Sequence, residues 1–596
     1  YIERDGGGVG SVYIAEVQFY EDSATAGHGT NGFELDYADT ADFGNDTSGN
    51  GNDYTPNNFT ADDQLADVPT DDADNGKGNF ATFNPLLNNG VTLTNGNLTQ
   101  TNSAGDATFS TIAFSSGKFY VELTAASNNE TFLGIAPVGT DPLTYPQSAA
   151  GYYFYTWNGQ FYTSGSGAAY KGSAWTATET LQMAVDMDNG KIWFGSNNTW
   201  FASGDPAAGT NPATTGISGD YFVSMGSQGV SLPVNVNFGQ KGFTYTPPTG
   251  FSALATQNLP DPTIAKPSDY AHTQIVTHNG TSTDFTINWS AGSFDTLFII
   301  KNVDASEGAY WVDTLSGITK VRRTTNAGNP TTDANVISVS GTTATLGSTL
   351  LANRYSVTAI KAGASGGASN TDGSITTTIS RNSDSGFGIM NWTQTAAAGS
   401  LGHGVGANPD FFVFPGVNGW DVQGENTGLN TSQEILEMNT TGAKRSPGSG
   451  RWGSPIYSTT VVNVTAEVNN TNSETGYFWQ DGDVFHIGTH EGNANANGPF
   501  IYTGALMDFY MGKAIDTTGS WFTYSDVEAG YNPAESFAME SAAAGNTNDP
   551  VDLVSNGVKI RDASNPNPAS TVFDFGIKKR PFQGGTTDSR SQGRAR

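Results

Sequence analysis

At 596 residues and 62.5 kDa the chain is too long for a single hydrophobic core, and at about 150 residues per domain it has room for roughly four domains. Its 26 Lys and Arg against 57 Asp and Glu give a formal charge of −31, which argues against nucleic acid or an anionic membrane as the main partner, since both bind through basic surface. It has no cysteine, so disulfides, thiolate zinc sites and a cysteine nucleophile are excluded. No apolar run approaches the ~18 residues of a membrane helix, so no membrane insertion is expected. The chain opens on Tyr1 without a basic, apolar leader, and a processed or truncated start is expected. Strong acidity combined with 11% aromatic residues fits a salt-tolerant extracellular or particle-borne protein.

In chain order, Val12, Ile14, Val17 and Phe19 alternate with polar residues and predict a short β segment over 1–36. Residues 37–79, dense in Asp, Asn, Gly and Thr, read as an extended acidic connector. Alternation resumes at Phe119, Val121 and Leu123, within a predicted β domain over 80–258. Thr178 to Met183 and Ala538 to Ala544 hint at helix but are too short to organise a domain, so the chain is expected to be all-β. Prolines 260, 262 and 267 mark a linker, and the Gly-rich stretch 363–373 marks another.

Beyond the first linker a divergent repeat emerges, in which an Asp opens an apolar strand and a Trp follows after a loop. Asp295 precedes Leu297 to Ile300 and Trp311, Asp410 precedes Phe411 to Phe414 and Trp420, and Asp508 precedes Phe509 to Met511 and Trp521. These predict three β modules over 269–372, 373–480 and 481–582, followed by a basic flexible tail over 583–596. The fold class is therefore all-β, a multi-domain chain of β-sandwiches.

Residues 80–250 resemble the SPRY/B30.2 domain in motif order. The motifs are Gly117-Lys118-Phe119-Tyr120-Val121-Glu122, Leu133-Gly134-Ile135-Ala136, Gly151-Tyr152 with Trp157-Asn158-Gly159, Asp186 to Phe194, and Asn237-Phe238-Gly239. The resemblance implies a jelly-roll sandwich used as a binding scaffold, and Asn189-Gly190 fits a two-residue type I′ turn. Val12 to Phe19 with the Asp46 to Asp53 stretch resembles the end of a LamG or concanavalin-like domain. The whole arrangement is similar to large structural proteins of tailed bacteriophages, many of them marine. That resemblance implies a non-enzymatic virion component, a tail fibre or appendage that mediates attachment to a host-surface glycan or protein. It would be located on the extracellular particle, bound to other virion proteins, and homotrimeric, because three chains can bury strands that one small module exposes. A capsid decoration or head-fibre protein and a polysaccharide-depolymerising tailspike are the alternatives.

Several residue clusters invite chemistry. His486, His490 and Glu491 would share a face on a helix and suit zinc, but Gly488 and Gly492 mark a strand entering a turn, which separates the rings. Asp186 and Asp188 point to one side of a strand end, the pattern of paired hydrolase carboxylates, although the hairpin accounts for them better. Asp42, Asp46 and Asp53, with Asn45, Asn50 and Asn52, place hard oxygen ligands in a Gly-rich loop and make calcium the candidate cofactor; an acidic connector explains the same residues. Aromatic residues cluster from Tyr152 to Trp175, and Tyr155, Trp157 and Tyr162 are the candidate ligand-binding rings, with sandwich core as the competing explanation for most of the cluster.

Overall fold

The computed structural model describes residues 17–18, 30–35, 37, 39, 41–59, 67, 78–88, 90–101, 107–125, 130–141, 150–171, 174–176, 179–227, 233–325, 330–416, 419–429, 434–446, 451–469, 474–525, 532, 534–543, 546–563 and 567–581. Regular structure there consists of β-strands and short 3₁₀ turns, so the chain is all-β. It divides into two compact units at Asp261 and Pro262, inside the proline-rich stretch. Of the proposed LamG-like segment, Val17–Gln18, which pairs with Glu34–Leu35, and the stretch 46–53 are among the described residues; most of 1–29 and the basic tail lie outside them.

Unit 1 holds a sandwich of two antiparallel sheets. One runs in the order Ser166–Ala169, Gln160–Thr163, Tyr152–Tyr155, Thr131–Pro137, Tyr221–Ser227, Ala107–Phe114, Phe83–Asn88. The other is centred on Lys191–Ser196, Leu181–Asp186, Lys118–Ala125 and Val234–Asn237. Alternate residues meet between them: Phe119, Val121 and Leu123 from one strand, Leu181, Met183 and Val185 from its neighbour, and Leu133, Ile135, Phe154 and Phe161 from the facing sheet.

The helical hint over 178–183 is overridden, because Leu181, Met183 and Val185 alternate into the sandwich core and the residues between them are buried on the other face, which makes 181–186 a central strand. The type I′ turn is also corrected. Asp186 pairs with Lys191, leaving four residues in the turn, and of these Gly190 has a positive φ, +61°. The buried Asp186 carboxylate organises the turn by accepting from the Asn189 backbone and amide at 3.0 and 2.9 Å and pairing with Lys118 at 2.9 Å.

Unit 2 repeats one sheet pattern three times. In the first, Ala271–Thr277, Arg354–Ala364, Phe294–Asn302 and Tyr310–Asp313 are neighbours in that order. The second places Gly388–Trp392, Thr475–Trp479, Phe411–Gly416 and Gly419–Gln423 likewise, and the third Phe485–Glu491, Thr571–Pro581, Ala505–Ala514 and Phe522–Ser525. Of the four strands named in each sheet, the first and last in chain order thus lie side by side, followed by the second and third.

One face of all three sheets packs into a single core. Leu297, Ile299 and Trp311 meet Phe411, Val413, Trp420 and Trp479, together with Phe509, Met511, Trp521, Phe573 and Phe575. The opposite faces close separate smaller cores. Cross-strand pairing refines the repeat: Ile299 faces Trp311, whereas Val413 faces Val422 and Met511 faces Thr523. Trp420 and Trp521, each two residues before those partners, are therefore equivalent, and Ala309 takes that place in the first module. Residues 363–373, expected to be a linker, instead end one strand and begin the next across a turn in which Gly366 and Gly367 have φ of +83° and +62°. The Ala-rich stretch after 537 is not helical where described: Ala534–Ala538 is a strand and a turn follows.

Because the three sheets share one core, a fragment spanning 269–372 is expected to stay unfolded by circular dichroism, while the intact unit loses its β signal in one cooperative step. Trp521→Ala should destabilise that step by about 3–5 kcal/mol in urea titration.

Candidate functional site

The sandwich presents its candidate binding group on a hairpin tip. Tyr152–Tyr155 and Gln160–Thr163 pair with Gln160 opposite Tyr155, so residues 156–159 form the turn. Gly159, at φ +68°, donates its N–H to the Tyr155 carbonyl at 3.0 Å. Asn158 then ties the loop down: its Oδ1 accepts from the Gln160 N–H at 3.0 Å, and its Nδ2 donates to Gln160 Oε1 at 2.8 Å and to the Tyr162 hydroxyl at 3.2 Å. Trp157 stands out from this frame with 54% of its surface exposed, the one large exposed apolar side chain among the described residues of the sandwich. The ring is held at low entropic cost for a partner, because the turn beneath it is already fixed.

Of the three rings singled out in the sequence, Trp157 alone is displayed. Tyr155 is buried and stacks on Phe132 at 4.1 Å with the rings 6° from parallel. Tyr162 is buried edge-on to both, at 5.5 Å from Phe132 and 5.8 Å from Tyr155. Strand alternation is the reason: Phe132, Tyr155 and Tyr162 lie on the sheet face opposite Leu133, Phe154 and Phe161, and that second face is covered as well. Burial pushes the Tyr155 phenol well above its ordinary range, with the Glu130 carboxylate adding to the effect.

The acidic loop uses its carboxylates on its own backbone. Asp46 accepts from the N–H groups of Glu34 and Ser48 at 2.9 Å each and of Asn52 at 2.8 Å. Asp53 accepts from the Asp46 N–H at 2.9 Å, and Asp42 from the Gly44 N–H at 3.1 Å. Desolvation would raise the Asp46 pKa, but the bonds from Ser48, Glu34 and Asn52 outweigh it and hold the carboxyl well below the usual range. Among the described residues, no three His, Asp or Glu side chains are grouped as a metal site. Asp42, Asp46 and Asp53 thus fold the loop, each serving a different backbone donor.

His486 and His490 lie on the strand Phe485–Glu491, not on a helix. His490 Nδ1 meets Asp574 Oδ2 at 2.6 Å, and the Tyr510 hydroxyl donates to the other oxygen of the same buried carboxylate. Asp188 accepts from the Gly117 N–H at 2.7 Å, so the 186/188 pair belongs to the hairpin.

The sequence reading missed one group, Glu122. Its buried carboxylate accepts from the N–H groups of Thr244 and Tyr245 at 2.8 Å each and from the Tyr120 hydroxyl at 3.0 Å, pinning residues 244–245 to the sheet. A cavity of about 190 Å³ opens beside it, lined by Thr124, Asn235, Asn237 and Lys241 among others. The available signal was a carboxylate within the apolar run Phe119 to Leu123.

Comparison with known proteins adds a family. Residues 266–573 match a family described as "Domain of unknown function (DUF7483)", and since this is more than half of the chain, the chain belongs to it. Among solved structures the chain is similar to the SPRY domain of human HERC1, with 15% identity over 26% of this chain and 96% of that one, at a TM-score of 0.21. It is also similar to a human SPRY domain at 12% identity, over 25% and 96% of the two chains, and to the TRIM65 PSpry domain at 13%, over 26% and 90%, both with TM-scores of 0.21. No curated protein matches.

Trp157→Ala should leave stability within about 0.5 kcal/mol of the wild type, whereas Tyr155→Ala should cost about 3–5 kcal/mol, both read by denaturant titration. The stabilisation from Asp46 is present above the unfolded carboxyl pKa near ~3.9 and is lost as pH falls through its lower folded value. Amide exchange at Ser48 and Asn52 is therefore expected to stay protected at pH ~5 and to lose protection, relative to intrinsic rates, well below pH ~3.9.

Proposed function

We propose that the chain is a non-enzymatic structural protein of a bacteriophage virion, a tail-fibre or appendage component that attaches to a host-surface glycan or protein by contact. The observation that carries this reading is Trp157: a large ring on a hairpin tip fixed by Asn158 and Gly159, 54% exposed in a sandwich whose other large aromatic side chains are mostly buried. An exposed aromatic ring on a rigid turn is the kind of anchor that dominates contact energies. The motif order of residues 80–250 and the run of β modules support a chain built for display.

The reading includes association with other virion proteins and assembly as a homotrimer. The apolar faces of the three modules are already buried within one chain, so the trimer contact falls on other surfaces. In this reading calcium is taken at the acidic loop, where it replaces the Ser48 and Asn52 N–H groups on the Asp46 carboxylate.

The test combines solution mass with cell adsorption. Light scattering is expected to give three times the 62.5 kDa chain mass. Fluorescently labelled protein should bind particular strains in a panel of marine bacteria saturably, and Trp157→Ala should weaken that binding about tenfold or more with its stability intact. Absence of binding across the panel, with immunogold label on phage heads, would move the chain to capsid decoration. Loss of polysaccharide viscosity with purified protein would overturn the non-enzymatic reading.

A further inference from the structure

Unit 2 contains a cleft of about 560 Å³, within the usual range of small-ligand sites. It forms where a face of the second sheet leaves the common core and passes beside Lys320 of the first module. Thr378 lies directly opposite Asn391 on paired strands, with Thr376 and Thr393 one step further along the same face. Side chains so placed stand about 5 Å apart across the pair and about 7 Å apart along each strand.

The hydroxyls of Thr376, Thr378 and Thr393 have no hydrogen-bond partner among the described residues, although the surrounding frame is well tied. Asn391 Oδ1 accepts from Ser316 at 3.1 Å and from Thr475 at 2.9 Å, which leaves its Nδ2 facing outward as a donor. Lys320 and Glu474 close one side as an ion pair of 2.7 Å, each with hydrogen-bonding capacity left over. Behind this face Trp392 and Ile375 pack into the private core of the second module, where the indole is held by Asn469 at 3.2 Å and lies on Phe414 at 5.6 Å, so the floor of the cleft is fixed.

We propose that this cleft binds a neutral carbohydrate. Its free groups are three hydroxyls, each able to donate and accept, and one amide donor, set at the spacing of adjacent strands, which suits a ligand whose every hydroxyl also does both. The one cation in the cleft is cancelled by the one carboxylate, so no net charge calls for an ion, and a chain carrying −31 repels acidic polysaccharide. The site is separate in the chain from Trp157, and it rests on the attachment reading only for the source of the sugar.

The test is calorimetric titration of the full chain with a panel of neutral and uronic-acid-containing oligosaccharides. Saturable binding of a neutral member is expected, weakened about tenfold or more in Thr378→Val/Thr393→Val with an unchanged melting temperature. Thr376→Trp, which fills the cleft, should abolish binding and covers the case in which the double variant fails to fold. Binding of no neutral member, preference for the acidic ones, or indifference to both variants would overturn the proposal. Cell adsorption without saccharide binding sinks the cleft and leaves the attachment reading intact; saccharide binding without adsorption to any cell does the reverse.

Discussion

Unit 2 depends on one contact: the edge-to-face packing of Trp311 on Trp420, with ring centres 5.3 Å apart and planes at 82°, at the place where three sheets meet. Around it Phe411 touches Trp479, Phe573 and Phe575 at 4.9, 5.1 and 5.2 Å, joining the second module to the third. Each sheet therefore buries both faces, one in the shared core and one in its own smaller core. That double burial explains why Leu297, Phe298, Ile299 and Ile300 are apolar in succession: 297 and 299 enter the shared core, 298 and 300 the private one. A module by itself would expose half of these residues, so the three fold as one body.

Directional bonds between modules fix how they meet. Arg322 of the first module lies against Asp313 at 3.3 Å and donates to Thr475 of the second at 2.7 Å, while Tyr477 of the second donates to Asp313 at 2.9 Å. Lys301, fully buried, donates to the Ser541 and Ala543 carbonyls of the third at 3.0 and 2.9 Å. Trp521 Nε1 reaches the Glu437 carbonyl of the second at 3.0 Å. Apolar packing tolerates rotation about its contact, whereas these buried donors and acceptors are satisfied in one arrangement and costly in any other.

The sandwich of unit 1 solves a different problem with similar means. Glu122 and Asp186, both buried, hold residues 244–245 and the 187–190 turn to one sheet, while Asn158 and Gly159 fix the turn of the other sheet that presents Trp157. Its tyrosines divide by strand parity. Neighbours in sequence such as Tyr155 and Trp157 end in opposite circumstances, because one lies within a paired strand and the other in the turn.

The sequence by itself determined the class of structure and much of its segmentation. Alternating apolar residues, Gly and Asn at the turns and the absence of helical periodicity make strands unavoidable, and the three Asp and Trp modules were legible because a doubly buried strand is apolar throughout. Tertiary structure alone decided that those modules share one core, since burial against a distant sheet leaves no local signature that separates a shared face from a private one. It also decided which Trp residues are equivalent, because equivalence follows cross-strand register and not spacing from the Asp. It separated Trp157 from Tyr155 and Tyr162, since composition marks an aromatic cluster while the pleat and the cover on each face set exposure. The same holds for Asp42, Asp46 and Asp53: the letters offer oxygen ligands, and the folded loop points each of them at a different backbone amide.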